Sequence, residues 1–161
     1  MFRTFAIGGL AALTLTAAYA QAAPTVKTIE VQVELDAIGN PAAAKYWTTV
    51  ADDLENAIVA RITDQISDDG IKLTIDLEEV SLSGGFAETL GLAETRLVGD
   101  VFMSHPADNT RFGAYKLTVD VNAAAPLLPA GVDATTLTAD SREYYDAMIA
   151  TFATGVVERL K

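Results

Sequence analysis

The chain has no cysteine, one histidine and one tryptophan, and it carries 11 Lys and Arg against 22 Asp and Glu. Each shortage removes a class of reading. Without cysteine there are no disulfides, although an exported compartment would permit them, and no lipidated cysteine of the kind a bacterial lipoprotein carries. A zinc site is not served by a single His105 without thiolates. Basic residues are scattered singly and the formal net charge is −11, so nucleic acid and anionic membrane surfaces are poor partners and a charged partner should be cationic. Beyond the N-terminal region no continuous apolar run is long enough to span a bilayer.

The N-terminal region has the layout of a secretory signal peptide. Arg3 precedes an apolar run from Phe5 to about Ala18, followed by the small-residue sites Ala18-Tyr19-Ala20 and Ala20-Gln21-Ala22. The run is shorter than the ~20 residues a membrane-spanning helix needs, which argues for cleavage rather than a stable anchor. Residues 1–22 are therefore expected to be removed, and residues 23–161 to form a single α/β domain in the periplasm. A domain of that size buries roughly two thirds of its unfolded surface without covalent staples.

The most marked stretch is Asn40 to Ile66. Trp47, Val50, Leu54, Ile58, Ile62 and Ile66 share one stripe at a period of 3.6, with Ala43, Ala51 and Ala57 beside them. Asn40 and Pro41 mark its start and Asp68-Asp69-Gly70 its end, with Gly70 in the left-handed conformation. Strict alternation places a strand on either side. Ile29, Val31, Val33 and Leu35 lie opposite Thr28, Glu30, Gln32 and Glu34, and Ile71, Leu73, Ile75 and Leu77 lie opposite Lys72, Thr74, Asp76 and Glu78. The phase shifts between Glu79 and Leu82, which predicts a bulge or strand end.

Two further strands are expected over 94–104 and 111–122, joined by the turn formers from His105 to Thr110 as an antiparallel hairpin. In the second of these, Tyr115, Leu117, Val119 and Val121 share a face. Residues 123–140 read as an irregular connection, and 141–160 as a helix capped by Asp140 or Ser141, with Tyr145, Met148, Ile149, Phe152, Val156 and Leu160 on one stripe. The expected fold class is α+β: a two-layer βαβββα arrangement, with a four-stranded, mainly antiparallel sheet and two helices packed on one face. The other face should be charged and meet water.

No motif specifies a reaction. Ser104 and His105 are neighbours in a strand and point to opposite faces, so they are badly placed to share a proton, and no Gly-x-Ser-x-Gly pattern is present. The pairs Asp52-Asp53, Asp68-Asp69 and Glu78-Glu79 supply only part of a calcium loop, and acids alone do not specify a glycosidase. Ser83-Gly84-Gly85 lacks the lysine of a phosphate-binding loop and reads as a turn.

The informative anomaly is apolar content in irregular segments: Leu82, Phe86, Leu90 and Leu92 in one, Leu127, Leu128 and Val132 in the other. Such residues either close the core or form a surface for a partner or ligand. Tyr46 and Trp47, near the start of the long amphipathic stretch, could join that surface or pack the helix. The candidate partner or ligand surface is therefore Tyr46, Trp47, Phe86, Leu90, Leu127 and Leu128.

The order of elements, with an export signal and a final helix returning beside the first, resembles the small α/β envelope domains of Gram-negative bacteria. Examples are the outer-membrane lipopolysaccharide-assembly lipoprotein and the helix-and-sheet domains of periplasmic accessory proteins. The chain departs from the lipoproteins in lacking the lipidated cysteine, and from a lipopolysaccharide binder in its acidity. The resemblance implies compartment and fold and assigns no residue. The expectation is a non-enzymatic accessory protein of the envelope, without cofactor or metal, that binds another envelope protein through a sheet edge or a loop surface. The alternative is a carrier of a small apolar ligand such as a lipid, held between helices and sheet.

Overall fold

The computed structural model describes residues 24–33, 48–81, 96–133, 137 and 141–160. Along the chain these form β1 (Val26–Val33), α1 (Val50–Val59), β2 (Ile71–Ser81), β3 (Arg96–His105), β4 (Asp108–Asp120), the one-turn α2 (Val121–Ala124) and α3 (Arg142–Glu158). The sheet order is β1-β2-β3-β4, with β1 parallel to β2 and the other neighbours antiparallel. The fold is α+β, with α1 and α3 covering one face.

Alternation sets that face. Ile71, Leu73, Ile75 and Leu77 of β2 are 0–3% exposed, and Leu97 and Val101 of β3 and Val119 of β4 complete the dry layer. Above it, α1 contributes Val50, Leu54 and Ile58, and α3 contributes Tyr144, Tyr145, Met148, Phe152 and Val156. Burying a side chain of this size is worth ~1.5–3 kcal/mol, so the layer is the main source of stability. The bulge expected near Glu79 is present as a register shift between Leu77 and Glu79.

The helices run parallel to one another. Tyr145, in the first turn of α3, meets Asp53, in the first turn of α1, while Arg61, just past the end of α1, reaches Ala150 and Thr154. Like ends of two helix dipoles thus lie together. Asp52, Asp53 and Glu143 sit at the positive ends. Arg61 and Arg159 donate to the carbonyls of Ala57 and Gly155 at the negative ends, the placement the dipoles favour.

Several expectations are corrected. The long amphipathic stretch does not stay helical to Ile66. α1 ends at Val59, and a short 3-10 turn follows over Thr63–Gln65. The cause is tertiary: Ser67 N–H donates to the Val26 carbonyl at 2.9 Å and Ile71 N–H to that of Thr25 at 2.8 Å, tying the segment to the start of β1. Ile62 stays buried, whereas Ile66 leaves the stripe and is exposed. The expected helix start at Asn40 and Pro41, together with Leu35 and Trp47, lies outside the described residues. Gly70 is not left-handed; among the described residues only Gly131 has a positive φ, +87°. Gly70 is required for closeness instead, because a Cβ there would lie 2.5 Å from Lys27 N and Val26 C.

The β3–β4 hairpin is tighter than the linker expected over 105–110, leaving only Pro106 and Ala107 between the strands. Asp108 supports it by accepting from the Thr110 hydroxyl at 2.6 Å and the Thr110 N–H at 2.9 Å, which hold its carboxyl below the usual range. The connection after β4 is not irregular at its start. Asp120 accepts from Ala123 N–H at 2.8 Å and caps α2, and a 3-10 turn follows at Ala125–Leu127. Val121 is buried as the shared face predicts, although in helix rather than strand. Ser141 occupies the cap position of α3, but its hydroxyl makes no capping bond.

Two glycines give a direct test of this packing. Gly70→Ala forces backbone against backbone and should destabilise by at least ~1–3 kcal/mol in chemical denaturation. At Gly99 a Cβ would meet the Leu77 side chain at 2.9 Å and, at 3.1 Å, the Phe152 ring and the Asp76 carbonyl oxygen; only the last is backbone and none is as close as at Gly70, so Gly99→Ala should cost less than Gly70→Ala. Equal stability of Gly70→Ala and the parent would contradict the close approach of the 66–71 segment to β1.

Candidate protein-binding surface

The second face of the sheet is charged, as expected; two of its carboxylates are paired with lysines, while Asp76 stands opposite Asp100 in the ladder. Lys72 reaches Glu30 at 2.6 Å, and with Gln32 it holds the Glu30 carboxyl below the usual range; Lys116 reaches Asp100 at 3.2 Å. The same face also carries aromatic side chains that a wholly wet reading omits. Phe102 on β3 stands between Thr74 on β2 and Ala114 on β4, and its small neighbours leave the ring 39% exposed. Phe112 lies two residues before Ala114 on the edge strand β4 and is 68% exposed. On the opposite face of β4, Gly113 has no side chain, and Met103 lies across it.

A second surface occupies the other end of the sheet. Leu127 is 47% exposed in the turn after α2, and Leu128 is half-buried against the core. The strand ends Val33, Ser81 and Arg96 and the helix starts at Thr49 and Ser141 all lie at this end, as the register of the sheet and the parallel helices require. Of the sequence-predicted surface, Tyr46, Trp47, Phe86 and Leu90 lie outside the described residues. Phe102 and Phe112 were missed; alternation would have found Phe102, whose partner Ala114 lies on the side of Lys116 and Thr118, whereas Phe112 falls where the register shifts between Met103 and His105.

Polar contacts also tie separate elements together. Tyr145 donates to Asp53 at 2.6 Å and the Thr49 hydroxyl donates to the same oxygen at 2.8 Å, placing one carboxylate where the starts of both helices meet. Burial first, and then the bond to Asp53, push the Tyr145 hydroxyl well above its ordinary value of 10. His105 is not an exposed turn residue, since its side chain is only 7% exposed. Its Nδ1 accepts from Ala107 N–H at 3.2 Å, which places the neutral ring's proton on Nε2, 3.4 Å from the Asp69 carbonyl and 3.7 Å from the Asp69 carboxylate. Ser104 pairs with Lys72 and is exposed, so strand alternation separates it from His105. Among the described residues, no three His, Asp or Glu side chains are arranged to hold a metal, and no helix is long and apolar enough to cross a membrane.

No protein-family model matches the chain, and no curated protein matches it significantly by sequence. Solved structures do resemble it. A Xanthomonas campestris protein assigned to the DUF330 family superposes with a TM-score of 0.51 at 15% identity, over 85% of this chain and 83% of that one. Two looser superpositions are with the PelC dodecamer of Paraburkholderia phytofirmans (TM-score 0.40, 10% identity, 81% and 86% covered) and a candidate lipoprotein of Caulobacter crescentus (0.37, 14%, 82% and 86%). At 15% identity the first likeness is one of fold, and it extends over most of both chains.

The Tyr145–Asp53 contact yields a prediction in two parts. Tyr145→Phe should cost about 1–3 kcal/mol near neutral pH, the worth of a hydrogen bond to a charged group. Because the fold raises this ionisation, the phenol's contribution is complete below pH 10 and is lost as pH rises from there toward the folded value. Parent stability should therefore fall above pH 10 more steeply than that of Tyr145→Phe; coincident alkaline profiles would contradict the contact.

Proposed function

We propose that the chain is an exported, periplasmic, non-enzymatic accessory protein of the bacterial envelope that acts by binding another envelope protein. The observation that carries this reading is the β3–β4 surface, where Phe102 and Phe112 stand exposed beside the Lys116–Asp100 pair. Exposed aromatics on a rigid strand edge serve as interface anchors, since they bury large area with little loss of side-chain freedom. An edge strand also offers backbone groups to a partner's extended segment. The signal-peptide layout supports the compartment, and the single, turn-engaged His105 supports a role outside catalysis.

The interaction reading is preferred to the lipid carrier because the layer between helices and sheet is occupied. Leu54, Ile58, Leu73, Ile75, Leu77 and Phe152 are all fully buried there, and a ligand between them would have to displace packed side chains. Binding on the outside needs no such rearrangement.

The test is site-specific photo-cross-linking in the intact periplasm, with a photoreactive phenylalanine at position 112 and a control at the exposed Asn56 on α1. A discrete protein adduct at 112, absent at 56 and lost in Phe102→Ser, would support the assignment. Positions 112 and 56 are exposed, so substitution there should change stability by less than about 1 kcal/mol, and an unchanged circular dichroism spectrum is required of Phe102→Ser. Adducts of the same pattern at both positions, or none at 112, would sink it.

A further inference from the structure

The opposite edge of the sheet carries a separate assignment, which does not depend on the β3–β4 surface. We propose that β1 pairs antiparallel with β1 of a second copy of the chain, with Val31 of each copy on the two-fold axis. The two four-stranded sheets would then join into one of eight strands.

Three observations point to this edge. Among the described residues, β1 pairs with β2 on one side, while on the other only Ile66 and Ser67 touch it, at Val26. No other described residue pairs along Thr28 to Val33, and that stretch is without the proline, outward lysine or bulge that usually blunts a free edge. The one irregularity falls between Val26 and Thr28, near the covered end, and Glu30 is held by Lys72 and Gln32.

The open edge is also flanked by apolar groups. Val59 and Ile66 are 39% and 47% exposed, and Ile29, Val31 and Val33 are half-buried against the core. At ~100° per residue, Val59 lies about 160° round α1 from the row of Asp53, Ala57 and Arg61 that faces α3, so it is turned away from α3 and toward the β1 side.

Self-matching of the strand selects the occupant. A two-fold perpendicular to the sheet keeps both dry faces on one side, so inward residues must meet inward residues. Centred on Val31, each Ile29 faces the other copy's Val33 on the dry side, and each Glu30 faces the other copy's Gln32 on the wet side. Centred on Glu30, two carboxylates would stand opposite each other, which is unfavourable. Centred on Ile29, Val31 would face Lys27. Of these three registers, the one centred on Val31 matches apolar with apolar and carboxylate with amide. Each copy is strongly acidic, with a formal net charge of −11 for the full sequence that loss of Arg3 with the signal segment makes more negative; this opposes association at long range, so added salt should strengthen the dimer.

The absence of native cysteine makes the register directly readable. Directly opposed strand residues have Cα atoms about 4.5–5.5 Å apart, within disulfide reach. With the full chain expressed, exported and purified from the periplasm, sedimentation velocity should show a concentration-dependent dimer. Val31→Cys should form a covalent dimer under oxidising conditions, while Ile29→Cys should not. Gln32 is solvent-facing, so its variants leave the core intact, as circular dichroism can verify. Gln32→Glu should weaken the dimer by about 2- to 30-fold and Gln32→Lys should tighten it by a similar factor, since each change acts on two symmetric pairs. A monomer at all concentrations, including one that gains a strand only from another protein's extended segment, would overturn the proposal. So would cross-linking at Ile29→Cys as readily as at Val31→Cys, or Gln32 variants that shift association in the same direction.

Discussion

The dry face of the sheet has to be covered, and the way it is covered determines most of what else the molecule can do. β2 is its centre, flanked by β1 on one side and β3 on the other, and its inward side chains are almost wholly removed from water. The parallel pairing of β1 and β2 requires a crossover, which α1 supplies. With β4 parallel in direction to β2 through two antiparallel steps, a helix returning over the sheet from the end of β4 must run the same way as α1. The parallel helix pair is thus a consequence of topology, and the chain places carboxylates at the paired positive ends and arginines at the paired negative ends.

That arrangement divides the surface into covered and uncovered parts. One sheet face and the facing sides of both helices are consumed by the core. Among the described residues, what these elements leave uncovered is the second sheet face and the outer sides of the two edge strands. The second face is not a binding surface merely because it is wet: Lys72 and Lys116 already hold Glu30 and Asp100. The groups left without such use are the aromatic rings on β3 and β4 and the apolar flank of β1. The two edges are separated by the full width of the sheet, which allows self-association and partner binding without competition for the same strand.

Periodicity made the layer legible. The alternation of Ile71, Leu73, Ile75 and Leu77, the phase slip at Glu79 and the stripe from Tyr145 to Leu160 all reappear in the fold, because each is local and each is enforced by burial. The end of α1 was not legible, since it is set by hydrogen bonds from Ser67 and Ile71 to a strand some forty residues earlier in the chain. Gly70 misled for the same reason: its sequence context fits a left-handed cap, whereas its place against Val26 and Lys27 exists only once β1 and β2 are paired. For the surface, attention to apolar residues in irregular segments led to Leu127 and Leu128 but passed over Phe102 and Phe112, which sit inside strands. The match of β1 to itself can be read only after the sheet order shows that strand to be an edge.

The central claim is that the space between helices and sheet is scaffold and that this chain acts through its outer surfaces on other polypeptides. Native mass spectrometry of the protein isolated from its own periplasm tests it most directly. The account predicts assemblies whose added mass is polypeptide, either a second copy or another protein. A single copy retaining a lipid-sized mass through gentle activation would contradict it.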